Sequence, residues 1–230
     1  IHTTGASQPY AHLLTQMAAA YTSLVPHILG NSSGSDSWPF SQVGYNIIYS
    51  FETIFSTHYH QPSDSVVYLN IPYMSQIVKM NLATLVEVAE SPGPVKGLVV
   101  VDAGDGNKLY LNWSPLLENG LTGYKIYYGT QSGVYTDTQF VSYSITTDTL
   151  RGLQSDTTYY IAVAAVNSSG KESIYKSEIT GRPRVIPLAP SGLTAHTGYF
   201  EINLSWQPNR EADLLHYNLY RSLSSGSGYN

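Results

Sequence analysis

A repeat in the second half of the chain constrains its fold more than any other feature. The Trp-Ser-Pro at 113–115 recurs as Trp-Gln-Pro at 206–208, 93 residues later, and Tyr124 and Tyr217 each follow their tryptophan by 11 positions. Around the first copy, segments of alternating apolar residues are bounded by turn residues, a pattern typical of β-strands. These predicted strands are 109–113, 124–128 and 159–166. The repeat therefore predicts consecutive all-β domains.

The composition excludes several classes of function. Hydrophobic residues make up 42% of the chain and charged residues 12%, which favours folded domains over disorder. The net charge of −5 includes only 11 Lys and Arg residues, with no basic stripe for a nucleic acid backbone, so nucleic acid is excluded as a partner. The absence of cysteine excludes disulfides and thiolate metal sites. No apolar run reaches the roughly 18 residues of a membrane span.

The hydrophobic period changes at the Ser-Pro-Gly-Pro of 91–94, which predicts a linker. Before it, apolar residues recur at three- and four-residue steps over 10–25 and 71–90, so both segments are predicted to be helices. The nearly continuous apolar run at 45–51 predicts a strand covered on both faces. One strand between two helices is too little for a domain. We therefore expect residues 1–91 to be the C-terminal part of a larger α/β unit.

The pattern of the repeat resembles the fibronectin type III domain, a seven-stranded sandwich. Trp113 and Trp206 match its core tryptophan, and 153–159 match the Leu-x-Pro-x-Thr-x-Tyr corner of the family, with serine in place of the usual proline. The resemblance implies one complete domain at 92–184 and the N-terminal part of a second at 185–230. The second copy ends after the third-strand equivalent, and its exposed strand edges should make it poorly stable.

Three short motifs follow one another before the second predicted helix. Residues 35–40 are Ser-Asp-Ser-Trp-Pro-Phe, a Gly-Tyr pair at 44–45 opens a strand that ends at Phe-Glu, and residues 59–64 are Tyr-His-Gln-Pro-Ser-Asp. In this order the series resembles the C-terminal end of the co-catalytic zinc aminopeptidases, the family of bacterial leucyl aminopeptidase and aminopeptidase Y. That family has Ser-Asp-His-x-x-Phe at the first motif, so Ser37 departs from it.

The resemblance implies that His60 is a terminal ligand of one of two bridged zinc ions. Such an ion pair binds the peptide carbonyl and activates a bridging water. The other ligands in the family are a His-x-Asp, a Glu-Glu pair and a further Asp, and they lie upstream. Neither the His-x-Asp nor the Glu-Glu pair occurs in this chain. We therefore expect the metal site to be incomplete here and the chain alone to be inactive.

Further positions carry over from the family to this sequence. The resemblance implies that Phe51, Phe55 and Tyr59 correspond to the apolar specificity pocket of the family. It also implies that Asp36, Glu52 and Asp64 correspond to polar residues around the metal site of the family. Each also has a plainer interpretation: Asp64 as the cap of a helical turn, Asp36 as an ordinary loop residue, and one of the two phenylalanines as core. A loop histidine such as His60 is, by itself, more often a surface residue than a ligand.

The predicted fold class is therefore mixed, an α/β zinc-peptidase part followed by all-β sandwiches. The predicted function is part of a secreted zinc aminopeptidase that hydrolyses N-terminal residues from peptides, with the sandwiches contacting a cell surface or polymer. One alternative is a peptidase-like domain without metals that serves in binding. Another is an adhesion protein that functions through its sandwiches alone. The enzyme hypothesis places His60 at the carboxyl edge of a parallel sheet, facing an open concavity.

Overall fold

Helices dominate the N-terminal unit of the computed structural model, which describes residues 1–3, 7–30, 33–211, 214–224 and 227. The elements of this unit are β1 (His2–Thr3), α1 (Gln8–Tyr21), α2 (Trp38–Gln42), β2 (Ile48–Tyr49), a 3₁₀ turn (Val66–Tyr68) and α3 (Ile71–Glu90). Both long helices fall where the apolar spacing predicts them, although α1 ends four residues before Val25. No helix among the described residues is long and apolar enough to cross a membrane.

The start of α3 follows from its local sequence. The Asn70 side chain accepts a hydrogen bond from the Tyr73 amide at 3.1 Å, which satisfies one of the free N–H groups of the first turn. Pro72 occupies a first-turn position, where a missing N–H costs nothing. These two signals place the helix N-terminus at the predicted residue.

The two long helices pack against each other on one face of α3. The buried cluster between them is made of Ile1, Ala11, Leu14, Ala18 and Met80. A second face of α3 carries an apolar stripe that remains 44–64% exposed. This stripe consists of Met74, Val78, Leu82 and Leu85. Apolar stripes of this kind mark surfaces that pack against another layer.

The predicted strand at 45–51 is much shorter in the structure. Only Ile48 and Tyr49 form a strand, and they pair antiparallel with β1 through the registers His2↔Tyr49 and Thr3↔Ile48. Both residues are half-buried rather than covered on two faces. A strand extends only where neighbouring backbone groups complete its hydrogen bonds. The described residues contain no parallel strand pair, so the predicted parallel sheet edge is not found among them.

A seven-stranded antiparallel sandwich follows the helices. Its strands are β3 (Val99–Asp102), β4 (Leu109–Asn112), β5 (Leu121–Gly129), β6 (Asp137–Ser142), β7 (Thr147–Leu150), β8 (Tyr159–Asn167) and β9 (Glu178–Gly181). They form a three-stranded sheet in the order β3-β4-β7 and a four-stranded sheet in the order β6-β5-β8-β9. The three strands predicted from alternating residues are β4, β5 and β8. A side chain at Gly123 would lie 2.2 Å from the Val141 carbonyl, so β5 and β6 approach too closely there for any residue but glycine.

The core of the sandwich lies where the sequence predicts it. Trp113 is 4% exposed and packs edge-on to Tyr124, with ring centroids 5.4 Å apart. The predicted corner is also present, since Leu153 is buried and the Tyr159 hydroxyl accepts a hydrogen bond from the Gln154 amide at 3.0 Å. This tyrosine corner fixes the entry into β8.

The two copies of the sequence repeat also share the packing of the tryptophan on the tyrosine and the hydrogen bond of that tyrosine. Trp206 packs edge-on to Tyr217 with centroids 5.3 Å apart, and the Tyr217 hydroxyl accepts from the amide of Asn209, eight residues earlier. In the first copy the Tyr124 hydroxyl accepts from Leu116, again eight residues earlier. The second copy contains the hairpin β10 (Ser191–Thr197) and β11 (Ile202–Gln207).

The predicted burial of Trp206 in a core is wrong for this structure. Trp206 is half-buried, and all seven residues of β10 are exposed. In the first copy the matching tryptophan belongs to a buried core to which β7 and β8 contribute Leu150, Ile161 and Val163, and the described residues of the second copy contain no counterpart of these strands. Trp206 and Tyr217 instead line an open groove of about 640 Å³, together with Leu193 and Leu219.

Candidate functional site

A row of aromatic rings runs from β2 to the loop that precedes α3. The ring centroids of Tyr49 and Phe51 lie 5.5 Å apart, those of Phe51 and Phe55 5.8 Å apart, and those of Phe55 and Tyr59 4.7 Å apart. The three residues predicted to form an apolar pocket are therefore adjacent. Phe51 is half-buried, while Phe55 and Tyr59 are 47% and 45% exposed. The row presents an apolar surface to solvent rather than a closed core.

His60 ends this aromatic row. Its ring stacks on Tyr59 with centroids 3.9 Å apart, and the residue is exposed. Its φ of 59° is in the left-handed region, which few residues other than glycine occupy. The backbone is held there by successive turns, in which Gln61 N donates to His58 O and Asp64 N donates to Gln61 O.

The neighbouring histidine has a different environment. The Nδ1 of His58 lies 3.0 Å from the Ser63 hydroxyl, and its ring stacks on Tyr68 with centroids 3.7 Å apart. Through these contacts His58 holds the loop against the turn that precedes α3. Both rings therefore stack on a tyrosine, but His60 is exposed, whereas His58 is half-buried and its Nδ1 contacts a hydroxyl.

The polar candidates do not gather around His60. Asp36, Glu52 and Asp64 are all exposed, and the described residues contain no group of three His, Asp or Glu that could hold a metal ion. The hydroxyl of Ser37, at the position of the family histidine, lies 2.8 Å from that of Ser35. The metal role of His60 and the roles of these polar residues therefore remain predictions.

A cavity of about 300 Å³ lies beside the aromatic row. Phe51 and Thr53 line one side, Tyr73 and Ile77 of α3 line another, and Leu24 closes a third. A volume of this size is at the lower end of small-molecule pockets. Of the three predicted pocket residues, only Phe51 faces this cavity.

The sandwich carries a polar layer on the outer face of its four-stranded sheet. Tyr127 and Lys125 donate hydrogen bonds to the Glu172 carboxylate, and Lys176 lies 3.6 Å from the same group. Alanines on β8, at 162 and 164, are fully buried beneath this layer. The short alanine side chains leave room for the long polar ones to lie across the sheet. This cluster is fully paired and serves the sandwich rather than a ligand.

The network determines the charge state of Glu172. Burial favours the neutral acid, but the hydrogen bonds from Tyr127 and Lys125 and the nearby lysine charges outweigh it, so the pKa of Glu172 is lowered. A carboxylate with a lowered folded-state pKa contributes stability above its usual pKa of 4.5. That contribution is lost as the pH falls through the folded-state value.

We therefore expect Glu172→Gln to destabilise the sandwich at pH 7 by about 1–2 kcal/mol, since hydrogen bonds to a charged group are removed. The difference from the unsubstituted protein should shrink as the pH falls through the folded-state pKa of Glu172, which lies below 4.5, because the carboxyl then becomes neutral like the amide. Urea unfolding at pH 7 and at a series of lower pH values measures this. Glu201→Gln, outside the sandwich, should follow the unsubstituted protein throughout. A loss that does not change with pH would contradict the ionic role of Glu172.

Comparison with known proteins identifies the class of the sandwich. The family model of the fibronectin type III domain matches residues 93–182, and these residues form such a domain. The fibronectin type III domain of the human collagen alpha-1(XX) chain is 24% identical, with a TM-score of 0.38, over 45% of this chain and 95% of that one. That of human contactin 1 is 21% identical, with a TM-score of 0.37, over 43% and 82%.

A bacterial enzyme also resembles part of the chain. The spore cortex lytic enzyme SleM of Clostridium perfringens is 22% identical, with a TM-score of 0.32, over 39% of this chain. The matched part spans 27% of the length of SleM. A likeness with this TM-score carries neither fold nor activity to this chain.

Proposed function

We propose that residues 1–91 are the C-terminal part of the catalytic domain of a secreted zinc aminopeptidase, and that the fibronectin type III domain is an accessory module of the same enzyme. The observation that carries this proposal is the aromatic row that ends at the exposed His60. It coincides with the motif series that resembles the zinc aminopeptidases. The substrate in this proposal is a peptide with a hydrophobic N-terminal residue.

The shape of the N-terminal unit supports the proposal in two ways. Phe51, Phe55 and Tyr59 form a continuous apolar wall, which suits a hydrophobic side chain. The apolar stripe of α3 at 74, 78, 82 and 85 is the surface that a helix of a layered α/β domain packs against its sheet. The same stripe is unexpected on a helix that packs only against α1.

The residues of this chain do not by themselves fit a zinc ion. A zinc site uses at least three protein ligands, and the described residues bring no three His, Asp or Glu together. His60 supplies one accessible imidazole. In this proposal the remaining ligands belong to the part of the catalytic domain that lies outside the 230 residues, and no catalytic step is assigned to the residues of this chain.

The proposal is tested by measuring the zinc content of the longer protein and its hydrolysis of leucyl-anilide. The expected result is two zinc ions per chain and hydrolysis that is lost when a chelator removes them. The 230-residue chain is the matched control and should neither retain zinc nor hydrolyse the anilide. A longer protein that binds zinc but leaves the anilide intact, or that binds no zinc, contradicts the proposal.

A non-catalytic binding protein is the second candidate function, and Ser37 is the observation that favours it. A serine at this position places a hydroxyl beside Ser35 where the family has an imidazole. If this histidine supports the active site in the family, its replacement by serine favours a domain that keeps the fold but serves only in binding. The zinc measurement separates the two functions, because the binding role predicts no bound metal.

A further inference from the structure

The sandwich makes polar contacts with the end of α3. Asn167 begins the turn between β8 and β9, and its side-chain amide donates to the Glu90 carbonyl at 2.7 Å. The Nζ of Lys171, in the same turn, lies 2.7 Å from the Glu87 carboxylate and 2.7 Å from the Glu90 carboxylate. Glu87 and Glu90 are three positions apart, so both carboxylates lie on one side of the helix.

These contacts satisfy groups that a helix leaves unpaired. The last four carbonyls of a helix have no partner within it. In α3 the Glu87 carbonyl accepts from Ser91 N, and the Glu90 carbonyl accepts from Asn167. A cation near the negative end of the helix dipole adds a favourable charge interaction, and Lys171 provides it. The turn of the sandwich therefore acts as part of the C-terminal cap of α3.

The turn is organised for this role by its own hydrogen bonds. The side-chain oxygen of Asn167 accepts from the amides of Ser169 and Lys171, at 3.1 Å and 3.0 Å. This fixes the orientation of the amide group and leaves its NH₂ to donate to Glu90. The backbone amide of Asn167 donates to the Lys171 carbonyl at 3.0 Å, which closes the turn. Little side-chain freedom remains to be lost on docking.

The connecting segment is held as well. The Ser173 hydroxyl donates to the Gly93 carbonyl at 2.7 Å, and the Gly93 amide lies 3.2 Å from both carboxylate oxygens of Glu118. Pro92 is buried, and Val95 belongs to the core of the sandwich. Within the segment predicted to be a linker, the carbonyl and the amide of Gly93 are thus both bonded to side chains of the sandwich.

We propose that the turn between β8 and β9 is a docking surface for the helical unit, which it holds in one orientation, so that the junction at 91–94 is a rigid connection rather than a flexible linker. The partner of this surface is the C-terminal end of α3, with the carboxylates of Glu87 and Glu90 and the Glu90 carbonyl. The sandwich in this arrangement extends the helical unit as one body. Its turn at 167–173 is occupied within the chain and is not free to bind other molecules.

The test compares the tumbling of the two parts in the full 230-residue chain by ¹⁵N relaxation. Amides of α3 and amides of β5 and β8 should report the same rotational correlation time. Inserting four flexible Gly and Ser residues between Gly93 and Pro94 gives the uncoupled reference, in which the two sets should differ. If the two sets already differ in the unaltered chain, the proposal is wrong.

Lys171→Met tests the contact itself, because it removes the ammonium and keeps an apolar stem of similar length. The undocked population should rise by up to about fivefold, the factor that corresponds to a partly exposed ion pair. Cleavage after Glu90 by a glutamate-specific protease measures this population. Lys176→Met is the matched control, since that ammonium pairs with Glu172 within the sandwich, and it should leave the cleavage rate unchanged. Equal rates in both variants would overturn the role of Lys171.

Discussion

Trp113→Ala should destabilise the fibronectin type III domain by about 3–5 kcal/mol, the usual cost of removing a large buried aromatic side chain. A single domain of this size has a total stability of only about 5–15 kcal/mol, so much of the variant should be unfolded at elevated temperature. The indole is 4% exposed and packs edge-on to Tyr124. It also contacts the central cluster formed by strands from both sheets, so alanine would leave a cavity between them.

Trp206→Ala is the matched control in the second copy of the repeat. The residue type, the edge-on partner and the hydrogen bond of that partner are the same, but Trp206 is half-buried beside an open groove. We expect a cost of about 1 kcal/mol or less, because little surface is withdrawn from water and no closed cavity forms. Urea unfolding measures both variants, followed through amide signals of β5 and β8 for Trp113→Ala and of β10 and β11 for Trp206→Ala. Equal losses would contradict the difference in burial.

The indole nitrogen makes Trp113→Phe informative as well. Nε1 of Trp113 is buried without a hydrogen-bond partner among the described residues. Burying an unpaired N–H costs free energy, and phenylalanine removes that group while it keeps most of the apolar area. Trp113→Phe should therefore lose much less stability than Trp113→Ala.

The contrast between the two tryptophans explains what the sequence predicts well. An alternating pattern predicts which face of a strand is apolar. Trp113, Tyr124 and Tyr159 predict the core and the corner correctly, because the contacts of these residues lie within one domain. The local pattern around a tryptophan does not state how deeply its ring is buried. Trp206 shares the Trp-x-Pro motif and the tyrosine spacing of Trp113 but differs in burial. The strand predicted at 45–51 is short for the same reason, since its extension depends on neighbouring strands.

The sequence names the residues of the candidate site, but their arrangement is visible only in the structure. The motif series places Phe51, Phe55, Tyr59 and His60 in one segment, and the structure brings their rings into one row. The polar candidates at 36, 52 and 64 share that segment but do not converge. The contacts of Lys171 with Glu87 join residues 84 positions apart. No local period signals such a pair, so the rigid junction was expected to be a linker.

His60→Asn should remove zinc from the longer protein that carries the remaining ligands, and with it the hydrolysis of leucyl-anilide. Asparagine is the suitable replacement because it tolerates the left-handed backbone at this position, where alanine would add strain of its own. Loss of a residue that only orients a metal ligand already costs about 10–100-fold in affinity, so removing a ligand should cost more.

His58→Asn is the matched control, two residues away in the same loop. Its imidazole already contacts Ser63 and Tyr68, so its replacement should loosen the loop without removing a metal ligand. We expect the zinc content of this variant to be unchanged and its hydrolysis to fall only modestly. Zinc content by atomic absorption and hydrolysis of the anilide, measured on both variants, distinguish the two histidines. Unchanged zinc content in His60→Asn, or an equal loss of zinc in both variants, would contradict the role of His60 as a metal ligand. If His60 binds the ion and His58 does not, only the replacement of His60 removes zinc.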